Sequence, residues 1–132
     1  PGCYAPLSPS WGYENRTTAI RIPAGDFSSI RIEHRVAGAD ANPYLVAATI
    51  LASALHGIKN KLEPTKAIVG DRSKDNEKLP RFWEESLNIF NESKFISDYL
   101  GTEFQKNFYR CKRQEKTEFD TRAFALEFDA YM

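Results

Sequence analysis

The sequence predicts an α+β fold: part of an antiparallel sheet carrying an Arg-rich hairpin, packed by helices, with a helical C-terminal region. Three observations predict it. The stretches "TTAIRI" and "SSIRIEHRV" alternate apolar and charged residues with the period of two that a half-buried strand requires. Asn42 and Pro43 form a helix start signal ahead of an almost wholly apolar run. From Pro80 onward, residues of helical period are punctuated by Ser93, Gly101 and Thr102, which suit helix ends.

A chain of 132 residues with 13% aromatics is long enough for one domain with a real core. Eighteen basic residues balance eighteen acidic ones, so no global field draws the chain to nucleic acid or to an anionic membrane, and neither is expected as a partner. Any function that rests on charge has to be local. Cys3 and Cys111 stand far apart without a CxxC or Cys/His spacing, which suggests neither a zinc site nor a disulfide framework. The longest apolar run, Tyr44 to Leu55, is too short to span a bilayer, and no signal-peptide pattern opens the chain. A soluble, cytoplasmic protein is expected. The opening "PGCYAPLSPSWGYENR" begins without Met in a loop punctuated by Pro and Gly, so the chain reads as a piece of something larger.

Taken in order, the opening loop ends near Asn15. The first strand follows, with Ile20 and Ile22 on one face and Arg21 on the other, until Pro23 stops it. "PAGDFS" supplies the Pro, Gly and Asp of a tight reversal, leading to a second strand with Ile30, Ile32 and Val36 on the apolar face. Arg31, Glu33 and Arg35 point the other way and can share a face with Arg21. Asn42 then caps a helix with Pro43 at its first position and Gly57 near its end; being apolar nearly all round, it asks for cover on several sides. Residues 63–79 lose hydrophobic periodicity and read as an exposed loop. A helix from Pro80 to about Asn91 uses Phe82, Trp83, Leu87 and Phe90, and Ser93 caps a short helix ending at Gly101. Thr102 and Gln105 have capping-box spacing for a last long helix that aligns Phe104, Phe108 and Cys111, then Phe119, Ala123, Leu126 and Ala130.

The charged face of the hairpin admits two readings. Arg31, Glu33 and Arg35 can form a surface ladder of ion pairs, worth about 0 to 1 kcal/mol. Alternatively Arg16, Arg21, Arg31 and Arg35 form an anion cradle, because guanidinium forks match carboxylate and phosphate oxygens. Glu33 is then a candidate ligand for a hard divalent cation that bridges to phosphates. One carboxylate does not hold a metal alone, and no His or carboxylate cluster in the sequence clearly completes the site. His34 and His56 read as packed or hydrogen-bonded side chains, and the C-terminal aromatics as core or subunit interface.

"ENRTTAIRIP", "RIEHRVAGADANPYL" and "YLGTEFQKNFYRCKRQE" together resemble the C-terminal part of the glutamine synthetase superfamily, and the likeness covers essentially the whole chain. The resemblance implies ATP-dependent ligation of the glutamate γ-carboxyl to ammonia or an amine through a γ-glutamyl phosphate. It implies Arg16 and Arg21 at the nucleotide phosphates, Arg31 beside ATP, Glu33 on Mg²⁺ or Mn²⁺, and Arg35 on the glutamate carboxylate. It also implies a ring-shaped homo-oligomer, and an N-terminal domain with the other metal ligands preceding Pro1. True glutamine synthetases carry a flap Glu before Ala-Pro, whereas "CYAP" has Tyr4, a phenol that stays neutral at pH 7 with a reference pKa of ~10. With the "SPSWGYENR" context this is similar to γ-glutamylputrescine synthetase and related γ-glutamyl-amine ligases, so a putrescine-like amine is favoured and Tyr4 is expected to line its pocket. Plain loop packing is the other reading of Tyr4. Ammonia as the substrate, or a fold retained without turnover, are the alternatives, and the chain alone is expected to be inactive.

Overall fold

The structure, a computed structural model, describes residues 5–70 and 78–131, apart from the side chains of 123–131. Its elements run β1 (Trp11–Tyr13), β2 (Ile20–Ile22), β3 (Glu33–His34), α1 (Pro43–Lys59), α2 (Trp83–Glu92), α3 (Lys94–Leu100) and α4 (Thr102–Tyr131). The α+β class is as the sequence predicts. Two compact units divide between Leu79 and Pro80.

In the first unit the three strands lie in the order β1-β2-β3. The expected pairing of the two alternating stretches is present: β2 and β3 are antiparallel, with Ile20 opposite His34 and Arg21 opposite Glu33. The sheet as a whole is mixed, because Trp11–Tyr13, read from sequence as loop, is a strand parallel to β2. Parallel neighbours usually need a long crossover. Here the reversal is local: Glu14 takes a left-handed conformation at φ 50, and the Asn15 carboxamide oxygen accepts from the Thr17 N–H at 2.9 Å. The Thr18 hydroxyl, fully buried, lies 2.9 Å from the carbonyls of both Asn15 and Ile20.

The loop after Glu63 is not simply exposed chain. Its residues 65–70 dock beside β1: the Trp11 indole donates to the Thr65 carbonyl at 2.8 Å, and the Ile68 N–H donates to the Trp11 carbonyl at 2.9 Å. Gly12 permits this approach, since a Cβ there would stand 2.7 Å from the Ile68 carbonyl oxygen. Helix α1 begins as predicted, with the Asn42 side chain accepting from the Tyr44 and Leu45 N–H groups. Its cover, however, differs from expectation. Only Ala52 is buried, and Tyr44, Leu51 and Ile58 are exposed, as are Ile30, Ile32 and Val36 of the strand read as half-buried. His34 is exposed, and His56 is half-buried with Nδ1 3.3 Å from the Asn60 amide.

In the second unit α2 starts three residues later than Pro80, with Phe82 as a cap that offers no side-chain acceptor. Ser93 closes α2 through its own N–H to the Phe90 carbonyl and opens α3 by accepting from the Ile96 N–H. Gly101, at φ 92, ends α3. The expected capping box is absent. Helix α4 begins at Thr102 itself, and the buried Gln105 side chain instead donates to the carbonyls of Phe90, Asn91 and Ser93 at 2.8, 3.1 and 2.9 Å. Gln105 thus adds a donor at each carbonyl where α2 gives way to α3; those of Phe90 and Ser93 also accept from the Ser93 and Ser97 N–H groups, and that of Asn91 takes Gln105. Leu87 and Ile96 form the buried apolar centre, beside a ring cluster of Phe90, Phe104 and Phe108 with centroids 5.0 and 5.6 Å apart along the chain of contacts. Cys111, expected on the same stripe, is exposed. Ala123, Leu126 and Ala130 lie outside the described side chains, and no helix of the described residues is long and apolar enough to cross a membrane.

Candidate functional site

The antiparallel register places Arg21 directly opposite Glu33, and a strand's alternation puts Arg31 on the same face. The Arg21 guanidinium donates through Nη1 to Glu33 Oε2 at 2.8 Å and through Nη2 to Glu14 Oε2 at 2.9 Å. Arg31 Nη2 donates to the other Glu33 oxygen at 2.7 Å. The second Glu14 oxygen accepts from the Ala24 N–H at the exit of β2. The result is a continuous chain of charges, Arg31, Glu33, Arg21, Glu14. The Arg21 side chain is 15% exposed, against 58% for Arg31.

These contacts fix the protonation states. Donation from Arg21, then from Arg31, holds the Glu33 carboxyl below its ordinary value. The Ala24 N–H and then Arg21 do the same for Glu14, and the two carboxylates, Glu14 first, raise Arg21 further above its already high value. All three groups are charged at neutral pH.

A cleft of ≈ 550 Å³ opens beside this chain, lined by Tyr13, Glu14, Asn15, Arg16, Thr17 and Arg21 on one side and by residues 67–70 on the other. Asn15 joins the sides, its amide nitrogen 3.2 Å from the Ile68 carbonyl and 2.8 Å from that of Gly70. Arg16 is exposed at this cleft and makes no side-chain hydrogen bond or ion pair among the described residues. Arg35 Nη1 donates to the carbonyls of Arg16 and Thr18, the latter at 3.3 Å, so it braces the backbone that presents Arg16.

The structure therefore brings Arg21, Arg31 and Glu33 together, sets Arg16 beside Arg21 in one cleft, and ties Arg35 to the Arg16 segment. Tyr4 lies outside the described residues. The expected ladder is present only in its Arg31–Glu33 half: the second partner of Glu33 is Arg21, while Arg35 donates to backbone carbonyls, and Arg16 and Arg21 line the open cleft. For a divalent ion the described residues do not suffice. They contain no group of three His, Cys, Asp or Glu side chains able to hold one, and both Glu33 oxygens accept from guanidinium groups. Glu14 and Asn15 escaped the sequence reading. Neither belongs to a periodic pattern; Asn15 preceding Thr17 by two residues, the spacing of a side-chain-closed turn, was the available signal for the latter.

Residues 1–131 match the family described as "Glutamine synthetase, catalytic domain". Among curated proteins, the gamma-glutamylputrescine synthetase of Escherichia coli (strain K12) is 42% identical over 91% of this chain and 26% of its own length. The type-1 glutamine synthetase 2 of Dictyostelium discoideum is 39% identical over 99% of this chain and 26% of its own. A glutamate–isopropylamine ligase of a Pseudomonas species is 40% identical over 78% of this chain and 23% of its own. The chain thus spans about a quarter of the length of these relatives. The cleft takes its arginines, Arg16 and Arg21, from "ENRTTAIRIP", and the family match over nearly every residue places the chain in the glutamine synthetase family, within its catalytic domain.

Proposed function

We propose that the protein carrying this chain joins the γ-carboxyl of glutamate to an amine at the expense of ATP, through a γ-glutamyl phosphate, and that the chain forms the C-terminal portion of the catalytic domain. The observation that carries this reading is the pairing of an unencumbered Arg16 with a clamped Arg21 at one cleft. Phosphoryl transfer depends on positioning and on neutralising charge around the transferred group, and guanidinium forks supply both. Arg16 and Arg21 contact the nucleotide phosphates and Arg31 lies beside ATP. Arg35 grips the glutamate carboxylate, and its tie to the Arg16 carbonyl links the two substrate subsites. Glu33 would give one carboxylate to a Mg²⁺ or Mn²⁺ site by exchanging a guanidinium partner for the ion, the other donors coming from outside the described residues. The remaining parts of the site come from other regions of a longer chain and from neighbouring subunits of a ring. No nucleic acid or membrane takes part, and the cytoplasm is the proposed location.

An organic amine of the putrescine type is favoured over ammonia. Tyr4 occupies the place of the ammonium-binding flap Glu, and two of the relatives above are named for organic amines. Ammonia is the second reading, favoured by the similarity to a glutamine synthetase over 99% of the chain. The test is ADP release by the full-length protein with glutamate and ATP, offering putrescine, monoamines or ammonium. Turnover with putrescine or another amine at least tenfold above that with ammonium is expected; turnover with ammonium alone refutes the amine reading. Absence of ADP release with every acceptor leaves the non-catalytic alternative.

A further inference from the structure

We infer that Glu14 is a positioning residue for Arg21, holding the guanidinium in the plane and place from which it meets an anionic phosphate ligand in the cleft. This rests on the phosphate-binding reading above and deepens it. Glu14 is held to β2 at three points. Its N–H donates to the Ile22 carbonyl at 3.0 Å, one carboxylate oxygen accepts from the Ala24 N–H, and the other accepts from Arg21 Nη2 at 2.9 Å. Its backbone sits at φ 50, a conformation that a side chain with a Cβ adopts at some cost. That conformation turns the chain so that Glu14 reaches back across the end of β2.

Arg21 has several rotatable bonds, and Glu33 alone would restrain only its Nη1 side. With Glu14 on Nη2, the guanidinium is gripped from both flanks. One N–H on each terminal nitrogen is left over for a ligand, while the Nε–H is buried without a partner. Two effects then oppose one another. Glu14 adds a negative charge to a cleft meant for an anion, which weakens binding. It also removes the freedom of the cation that does the binding, which strengthens it. Two substitutions separate them. Glu14→Asp keeps the charge but is one methylene too short to reach Arg21 and Ala24 together. Glu14→Gln keeps the reach and an acceptor oxygen but removes the charge.

The full-length protein is titrated with ADP by isothermal calorimetry, and KM for ATP and kcat are measured alongside. If positioning dominates, Glu14→Asp raises the ADP Kd and the ATP KM about tenfold, the loss expected for one hydrogen bond to a charged group, with a smaller change in kcat. Glu14→Gln loses less than Glu14→Asp, because its single amide oxygen still accepts from Arg21 although its NH2 group no longer accepts from the Ala24 N–H. Wild-type affinity in Glu14→Asp overturns the inference, as does tighter ADP binding in Glu14→Gln. A wild-type protein that binds no ADP overturns the phosphate-binding reading as well, whereas wild-type binding with an unaffected Glu14→Asp overturns this inference alone.

Discussion

At the scale of single residues, Gln105 does for the helical unit what no apolar side chain can. Its buried amide shares two protons among three backbone carbonyls, of which those of Phe90 and Ser93 also accept from backbone N–H groups, so the Asn91 carbonyl depends on it most. Gln105→Ala is expected to lower stability by about 2 kcal/mol, read as a shift in urea midpoint. Gln105→Glu, which removes the donors and faces a charge toward carbonyls, is expected to be worse. The carboxylates of the sheet give a pH dependence with a defined sign. Glu14 and Glu33 bind protons less readily folded than unfolded, so their contribution is fully present above the ordinary carboxyl value of 4.5 and is lost as pH falls through the lower folded values. Stability measured by urea titration should therefore be flat in this respect from pH 7 to 5.5 and decline below 4.5, and Glu33→Gln should flatten that decline. A decline equally steep in the variant would assign it to other carboxyls.

At the scale of elements, β1 and the segment at 65–70 depend on one missing methyl group. Gly12→Val brings a branched side chain against the Ile68 carbonyl, which belongs to backbone and has little room to yield. The expected cost is about 1–3 kcal/mol, the usual range for overpacking, together with faster hydrogen exchange at the Ile68 amide as its bond to Trp11 is released. The helices were the legible elements because their ends are local: Asn42, Ser93 and Gly101 act within one turn of where they stand. Strand β1 was not legible because three residues around a glycine carry no alternation, and what makes them a strand is β2, several residues away. Gln105 misled for the same reason. Its spacing from Thr102 fits a local box, while its actual partners lie in Phe90, Asn91 and Ser93. At the site, the Arg31, Glu33 and Arg21 grouping followed from strand period. Glu14 did not, since it arrives by a left-handed turn that leaves no periodic trace.

At the scale of the molecule, apolar surface is the dominant feature of the first unit. Tyr44, Leu51, Ile58, Ile30 and Ile32 are all at least 60% exposed, more than isolated surface apolar residues account for. Expressed as these 132 residues alone, the chain is expected to bind a hydrophobic dye such as ANS and to elute from size exclusion as larger species. A monodisperse monomer without dye enhancement would contradict that expectation. The stretch shared with this chain makes up about a quarter of the relatives' length. The junction at Ser93 carries a different consequence. One residue ends α2 and begins α3, with no spacer between them. A single inserted amino acid there would turn every following position by about 100° around the α3 axis, since a turn takes ~3.6 residues. Ile96 would swing out into water, so homologues that tolerate length changes elsewhere should show none at this joint.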